Sequence, residues 1–163
     1  NDGLVNYVLV NLGILDKPYN FLTQPFAAKI VIILALLWRW TGYNMVFFLS
    51  GLQNIEYSVY EAAKIDGASA IQTFFKITVP LLKPTILLTA IMSTNGTLQL
   101  FDESINLTDG GPANASISMS HYIYNLCFKY VPNFGYAAAM SFFILLLVAV
   151  LAFIQMRVGD KRD

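Results

Sequence analysis

The sequence of 163 residues is rich in apolar side chains and poor in charged ones. Hydrophobic residues make up 56% of the chain and charged residues 12%, with a mean hydropathy of +0.58, whereas a soluble domain has roughly 45–50% and about 25%. Ten Lys and Arg residues balance ten Asp and Glu residues, so no net charge attracts a nucleic acid. The composition predicts an integral membrane protein and excludes a disordered chain and a charged coiled coil.

The cysteine content and the first residues add two expectations. Cys127 is the only cysteine, so the chain forms neither an internal disulfide nor a cysteine-based metal site. The sequence begins at Asn1, and no basic stretch precedes an apolar signal core. We therefore expect a fragment or a processed piece of a protein.

Three stretches approach the roughly 20 apolar residues that cross a bilayer. The first covers 27–53 and contains Arg39, whose charge costs about 2.5–3.5 kcal/mol at bilayer depth. Arg39 should therefore face the protein interior or a wet cavity, or serve as a structural ion pair or a cap on backbone carbonyls. The middle stretch, 85–105, has a polar centre, so it should lie inside a helix bundle, where it can hold a polar ligand. The last stretch, 135–156, is uncharged and stops before Arg157.

These spans divide the remaining residues between two sides of the membrane. Residues 1–26 and 106–134 lie on one side, and residues 54–84 and the tail 157–163 lie on the other. Six basic residues belong to the second side, and three belong to the first side or to the adjoining start of the first span. The six are Lys64, Lys76, Lys83, Arg157, Lys161 and Arg162, and the three are Lys17, Lys29 and Lys129. The positive-inside rule then places 54–84 and the tail in the cytoplasm, and the predicted fold class is an all-α membrane protein with three visible transmembrane helices.

The loop 54–84 is too long for a plain turn and predicts two short helices. The first runs from Tyr57 to about Asp66, because Gly67 stands where a left-handed residue ends a helix. A capping box then starts the second helix. Ser69 and Gln72 have the spacing at which each side chain satisfies the other residue's backbone N–H.

The second short helix runs from Ala70 to just before Pro80 and carries a narrow apolar ridge. The ridge consists of residues at helical spacing, namely Ile71, Phe74, Phe75 and Thr78. Spacing alone leaves two structural interpretations open, since the ridge can lie on the membrane surface or pack beneath the helix bundle.

Six residues of this loop stand at a recognisable spacing: Glu61, Ala62, Ala63, Gly67, Ile77 and Pro80. With Val79 in place of the usual Leu, they follow the pattern Glu-Ala-Ala, three residues, Gly, nine residues, Ile-x-Leu-Pro. In this pattern the sequence resembles the permease subunits of binding-protein-dependent ABC importers, in particular sugar permeases related to the maltose-transporter subunit. Flanking stretches 51–55, 80–84 and 107–112 are similar too, so the resemblance covers nearly the whole chain.

The resemblance implies partners that the chain itself does not contain. In such importers the loop docks into a cleft of an ATP-binding cassette ATPase, and a second permease subunit and an extracytoplasmic sugar-binding protein complete the transporter in a bacterial or archaeal plasma membrane. These permeases usually have six or more spans, which implies that this is the C-terminal half. The resemblance assigns ATPase coupling to Glu61, Ala62, Ala63, Asp66, Gly67, Ile71, Phe74, Phe75, Ile77 and Pro80.

The sequence predicts no catalytic or metal centre and no cofactor. It lacks a phosphate-binding Gly-rich loop with Lys, so the stretch 110–112 is interpreted as a turn. His121 has no metal-ligand partner at helical spacing, and we expect it to be a loop residue. Asp102 and Glu103 are adjacent, so their side chains diverge on a helix and suit the end of the middle span better than acid–base work.

Polar side chains at bilayer depth are the candidate substrate ligands. Amides and hydroxyls beside aromatic rings suit an uncharged sugar. In the sugar permeases that the chain resembles, the ligand lies between the first two of these spans. The candidates are Tyr43, Asn44, Ser93, Asn95, Thr97 and Gln99. The same groups can instead only hold neighbouring helices together.

Other functions remain open at this point. The chain could be a permease for another small solute such as a glycerol phosphate, a structural scaffold of the membrane, or a membrane-embedded enzyme. An enzyme needs titratable groups that converge at bilayer depth, and Arg39 alone does not supply them. A scaffold has no need of a capped two-helix loop.

Overall fold

The computed structural model describes residues 3–159. Residues 1, 2 and 160–163, with Lys161 and Arg162 of the predicted tail, lie outside the described residues. Within 3–159 the regular structure is entirely helical, which confirms the predicted class. In chain order the helices are α1 (Leu4–Asn11), α2 (Pro25–Gln53), α3 (Tyr57–Ile65), α4 (Ala70–Thr73), α5 (Val79–Leu81), α6 (Lys83–Leu98), α7 (Met119–Tyr124) and α8 (Phe134–Gly159). A 3-10 turn covers Phe21–Thr23, and π-helical turns cover Phe74–Thr78, Ser104–Thr108 and Asn125–Lys129.

Two helices among the described residues are long and apolar enough to cross a membrane. They are α2, with 29 residues, and α8, with 26, or about 44 and 39 Å at 1.5 Å per residue. Large apolar side chains project outward from both, as Trp38 does on α2 and Phe142 on α8. Such helices need lipid or further protein around them.

A third span is present only if two helical pieces are counted together. The run Ala70–Leu81 and helix α6 meet at a bend of 64°. Pro84 explains the bend, because it has no N–H for the carbonyl of Pro80 and its ring presses against that carbonyl. Helix α6 ends at Leu98, not at residue 105 as the sequence predicted. Its last turns hold Asn95, Gly96 and Thr97, which are weak helix formers.

The chain forms two compact units. One contains the residues up to Leu36 together with Leu100–Pro132, and the other contains Leu37–Gln99 together with Asn133 and the residues after it. The division falls within α2. The second unit holds most of α2, the loop helices, α6 and α8.

Within the second unit, α6 lies between α2 and α8. Gln155 of α8 donates a hydrogen bond from Nε2 to Thr94 Oγ1 at 2.8 Å, and Gly159 comes so close to Leu87 that a Cβ would lie 2.6 Å from its side chain. On its other side α6 packs against α2, as described below. The polar middle helix therefore lies inside a bundle, as the sequence predicted.

A buried polar network organises the first unit. Ser104 is fully buried, and its hydroxyl donates to the Ser116 carbonyl at 2.8 Å. The same oxygen lies 2.8 Å from His121 Nδ1 and accepts the Ser118 N–H at 3.3 Å. Because the hydroxyl has one proton, His121 must donate from Nδ1. His121 is thus a fully buried residue of α7, and the prediction that it is a loop residue is wrong.

The second nitrogen of the His121 ring, Nε2, lies near the ion pair of Asp109 and Lys129. His121 Nε2 lies 3.7 Å from Asp109 Oδ1, which also accepts a 2.6 Å hydrogen bond from Lys129 Nζ. Burial lowers the pKa of His121, and the Asp109 carboxylate opposes that effect. The hydrogen bond from Lys129 lowers the pKa of Asp109. The neighbouring stretch 110–112 forms the predicted turn, with Gly110 at φ +80°.

Acidification should therefore destabilise the first unit. Burial lowers the pKa of His121 in the folded protein, whereas in the unfolded chain the residue takes up a proton near pH 6.5. The unfolded state then binds more protons below about pH 6.5, so the unfolding free energy falls as the pH falls. We expect the unfolding midpoint of the purified protein to drop between pH 7.5 and 5.5, and to drop less in His121→Asn. Equal pH dependence in both proteins would show that His121 does not titrate on unfolding.

Candidate functional site

Helix α3 ends in the bend that the sequence predicted at Gly67. Gly67 has φ +75°, its N–H donates to the Lys64 carbonyl at 3.1 Å, and the Ala68 N–H donates to the Ala63 carbonyl at 2.9 Å. These two bonds form a Schellman motif, which satisfies carbonyls left open at the helix end. No other atom lies within 4 Å of the position of a Gly67 Cβ, so backbone conformation alone calls for glycine here.

The capping box that follows is formed as predicted. The Ser69 N–H donates to Gln72 Oε1 at 2.9 Å, and the Gln72 N–H donates to Ser69 Oγ at 3.3 Å. The two motifs leave only Ala68 between the Schellman glycine and the cap. The angle between the two short helices is therefore fixed by local hydrogen bonds.

The second short helix does not stop before Pro80, which corrects the predicted end. Helix α4 continues into the π-helical turn Phe74–Thr78 and then into α5, which ends at Leu81. In the π turn the Val79 N–H bonds to the Phe74 carbonyl, five residues back. This wider turn accommodates Pro80, which has no N–H and whose ring would crowd a regular α-helical turn.

The π turn also changes which residues form the apolar ridge. Ile71, Phe74 and Phe75 are 72%, 51% and 64% exposed, and the two Phe rings meet edge to face with centroids 5.0 Å apart. Thr78 is buried, and its Oγ1 lies 3.3 Å from the Tyr60 hydroxyl of α3. The extra residue in the turn rotates Thr78 off the ridge, so the prediction that Thr78 belongs to it is wrong.

The residues assigned to ATPase coupling differ in exposure. Ala63 is buried and Ile77 is half-buried, so both contribute to the packing of the loop. The others are exposed, namely Glu61, Ala62, Asp66, Gly67, Ile71, Phe74, Phe75 and Pro80. Sequence reasoning missed Tyr60, which ties the two helices together.

The candidate substrate residues lie on the packed helices α2 and α6, except Gln99, which directly follows the end of α6. Asn44 and Ser93 join them, because Asn44 Nδ2 donates to Ser93 Oγ at 3.1 Å and Ser93 Oγ donates to Asn44 Oδ1 at 3.3 Å. One turn of α6 further on, Gln99 Nε2 donates to Asn95 Oδ1 at 2.7 Å. Asn44 and Ser93 thus hold helices together, whereas Tyr43, Asn95, Thr97 and Gln99 are exposed.

Aromatic rings follow α2 through this region. The ring centroids of Trp40 and Tyr43 are 5.5 Å apart, and those of Tyr43 and Phe47 are 5.1 Å apart. The Trp40 ring lies against Gly96 of α6, where a Cβ would overlap it. Arg39 is exposed, and its guanidinium carbon lies 5.6 Å from the Trp40 ring centroid. Sequence reasoning did not include Trp40 among the site residues, although a Trp at bilayer depth three residues before Tyr43 was a usable signal.

Comparison with known proteins decides the family. The family model described as "binding-protein-dependent transport system inner membrane component" matches residues 4–162. The chain belongs to this family. The match confirms the family that the spacing of residues 61–80 indicated, and it identifies the chain as a membrane component of a transport system.

Curated relatives and a solved structure agree with this assignment. The chain is 55% identical to the lactose transport system permease protein LacF of Rhizobium radiobacter, covering 99% of this chain and 55% of the relative. It is 37% identical to the trehalose/maltose transport system permease protein MalF of Thermococcus litoralis, covering 98% and 53%. A chain from the crystal structure of a bacterial ABC transporter involved in alginate import is similar with a TM-score of 0.81 and 26% identity, over 96% of this chain and 54% of that one. The chain thus spans about half the length of these relatives.

Proposed function

We propose that the full-length protein is a permease subunit of an ATP-driven carbohydrate importer. The observation that carries the proposal is the exposed ridge of Ile71, Phe74 and Phe75, held on a locally fixed pair of short helices that follows the membrane-length helix α2. A ridge of this kind fits a groove on a partner protein. Family membership and the names of the relatives, which include lactose and trehalose/maltose permeases, support the carbohydrate assignment.

The partner at the ridge is an ATP-binding cassette ATPase. In the proposed complex the two Phe rings enter a cleft of the ATPase, and Glu61 meets a basic group beside it. The ATPase closes on ATP and moves the ridge, and the helices beyond the bend at Pro84 follow. ATP can shift the transporter between inward- and outward-open states only as far as it binds one of them more tightly. ATP hydrolysis is thus a task of the partner.

Because the ridge contacts an ATPase, the loop that carries it must face the cytoplasm. Residues 54–84 and 157–163 face the cytoplasm, and residues 1–26 and 106–134 face the outside. On the outer side, an extracytoplasmic sugar-binding protein delivers the sugar. A second permease subunit forms the other wall of the pathway in the bacterial or archaeal plasma membrane.

The proposed sugar site lies where α2 and α6 meet. Helix α6 has 16 residues, or about 24 Å, which is shorter than the roughly 30 Å hydrocarbon core. Its end therefore leaves backbone carbonyls without helical partners at membrane depth, which is tolerated where they face protein or water. Hydroxyl-rich ligands can bond such carbonyls and the exposed Asn95, Thr97 and Gln99, while Tyr43 offers an aromatic face. Lactose is the first sugar to test.

An aspartate on the ridge should release the ATPase. Phe75→Asp in the full-length protein replaces an exposed ring by a charge that would be desolvated in an apolar cleft. We expect the tagged variant to insert normally but to co-purify with less than about a tenth of the ATPase that accompanies the wild type.

Ile65→Asp provides the matched control, since Ile65 is 87% exposed on α3 and lies outside the ridge. This variant should retain the ATPase. If Phe75→Asp retained it too, the ridge would not be the docking surface, and membrane-surface packing would explain its exposure.

A further inference from the structure

The side chain of Trp40 occupies a space on α6 that exists only because residue 96 is glycine. Carbon atoms Cζ2, Cη2 and Cε2 of the indole surround the position that a Gly96 Cβ would take, with Cη2 2.6 Å from it. Cε2 is bonded to Nε1, so the N–H edge of the indole lies in the contact between α2 and α6. Trp38, two residues earlier, instead projects outward and is 86% exposed.

The Trp40 N–H is buried at this contact and has no hydrogen-bond acceptor within residues 3–159. Buried Trp N–H groups nearly always find an acceptor, because an unpaired donor in a low-dielectric environment is costly. An acceptor from outside these residues is therefore needed.

We propose that Trp40 is a specificity-determining residue of the sugar site and that its N–H donates to one hydroxyl of the transported sugar. This inference rests on the proposed function. The Trp40 and Tyr43 rings meet edge to face at 88°, so a sugar stacked on Tyr43 has its rim beside the indole. In the present conformation the N–H is covered. A hydroxyl reaches it only when the indole moves off Gly96 or when α2 and α6 separate, so sugar binding favours that opened conformation.

The test uses the complete transporter in membrane vesicles and measures ATP hydrolysis across a concentration series of lactose and its singly deoxygenated analogues. Trp40→Phe keeps an aromatic ring and removes the donor. Its half-saturating lactose concentration should rise about two- to tenfold, as expected for one lost hydrogen bond. Trp38→Phe, the matched control, should leave it unchanged.

The deoxy series identifies the hydroxyl. One analogue should bind the wild type several-fold more weakly than lactose, and that penalty should disappear in Trp40→Phe. The inference is overturned if the wild type responds to lactose but Trp40→Phe has the same half-saturation, or if no single hydroxyl matters to the wild type. If the Trp40→Phe transporter failed to assemble, the inference would also be overturned, because the acceptor of the Trp40 N–H would then be a group of the protein itself. A wild type that responds to no sugar would refute the proposed function itself.

Discussion

Gly67→Pro should abolish ATP-driven uptake while the protein still inserts into the membrane. Gly67 has φ +75° and donates its N–H to the Lys64 carbonyl. Proline holds φ near −65° and has no N–H, so the Schellman motif cannot form and the second short helix changes direction. The ridge at Phe74 and Phe75 is then misplaced by several ångströms at its far end, and ATP binding no longer drives the membrane helices. Uptake into vesicles with equal amounts of each protein measures the effect.

Alanine at two glycines gives a graded control. Gly67→Ala costs about 1–2 kcal/mol of left-handed backbone strain without a side-chain clash, because no atom lies near the Cβ position. It should lower uptake in part. Gly13 also has positive φ, at +70°, and no neighbour within 4 Å, but it lies outside the loop, so Gly13→Ala should leave uptake unchanged. Wild-type uptake by Gly67→Pro would show that the bend does not transmit motion.

Gly96→Ala should separate α2 from α6 and stop transport. The added Cβ would overlap the Trp40 ring, whose centroid lies 5.5 Å from that of the Tyr43 ring. Overpacking of this kind costs about 1–3 kcal/mol, and separation would also break the paired hydrogen bonds of Asn44 and Ser93. We expect a lower thermal unfolding midpoint in detergent. ATP hydrolysis should no longer respond to sugar, because the indole cannot return to its place on α6 and the two helices stay in the opened arrangement.

Gly42→Ala is the matched substitution for this prediction. Gly42 lies within α2 and has no atom within 4 Å of its Cβ position. Alanine is favoured over glycine in a helix by about 1 kcal/mol, so this variant should be as stable as the wild type or more so. Adding Trp40→Leu to Gly96→Ala should restore part of the lost stability. An unchanged unfolding midpoint in Gly96→Ala alone would contradict the packing of Trp40 on α6.

Local signals in the sequence predicted the loop well. The Schellman glycine at Gly67 and the capping box of Ser69 and Gln72 depend on residues within six positions of one another, so their hydrogen bonds follow from spacing. The long helices α2 and α8 were also visible, because a long, mainly apolar run has few alternatives to a helix in a membrane. The glycine bend and the capping box together position the exposed ridge of Ile71, Phe74 and Phe75.

Features that depend on distant residues could not be predicted. The burial of His121 needs Ser104, 17 residues earlier, and the fit of Trp40 needs glycine at position 96, 56 residues away. The end of α6 at Leu98 was missed because a span of about 20 residues was expected from residue 85, whereas Asn95, Gly96 and Thr97 favour a helix only weakly. The π turn at Phe74–Thr78 was missed because a proline such as Pro80 usually marks the end of a helix, although the wider π turn can accommodate its ring.

The most direct test of the proposed function is ATP-dependent accumulation of radiolabelled lactose in vesicles that contain the full-length protein and its co-purified subunits. The proposed coupling predicts accumulation that requires both ATP and an added sugar-binding protein, and a parallel sample with radiolabelled glycerol phosphate should show none. Uptake of glycerol phosphate instead would assign another solute, and the absence of any ATP-dependent uptake from vesicles that retain the ATPase would contradict the importer function.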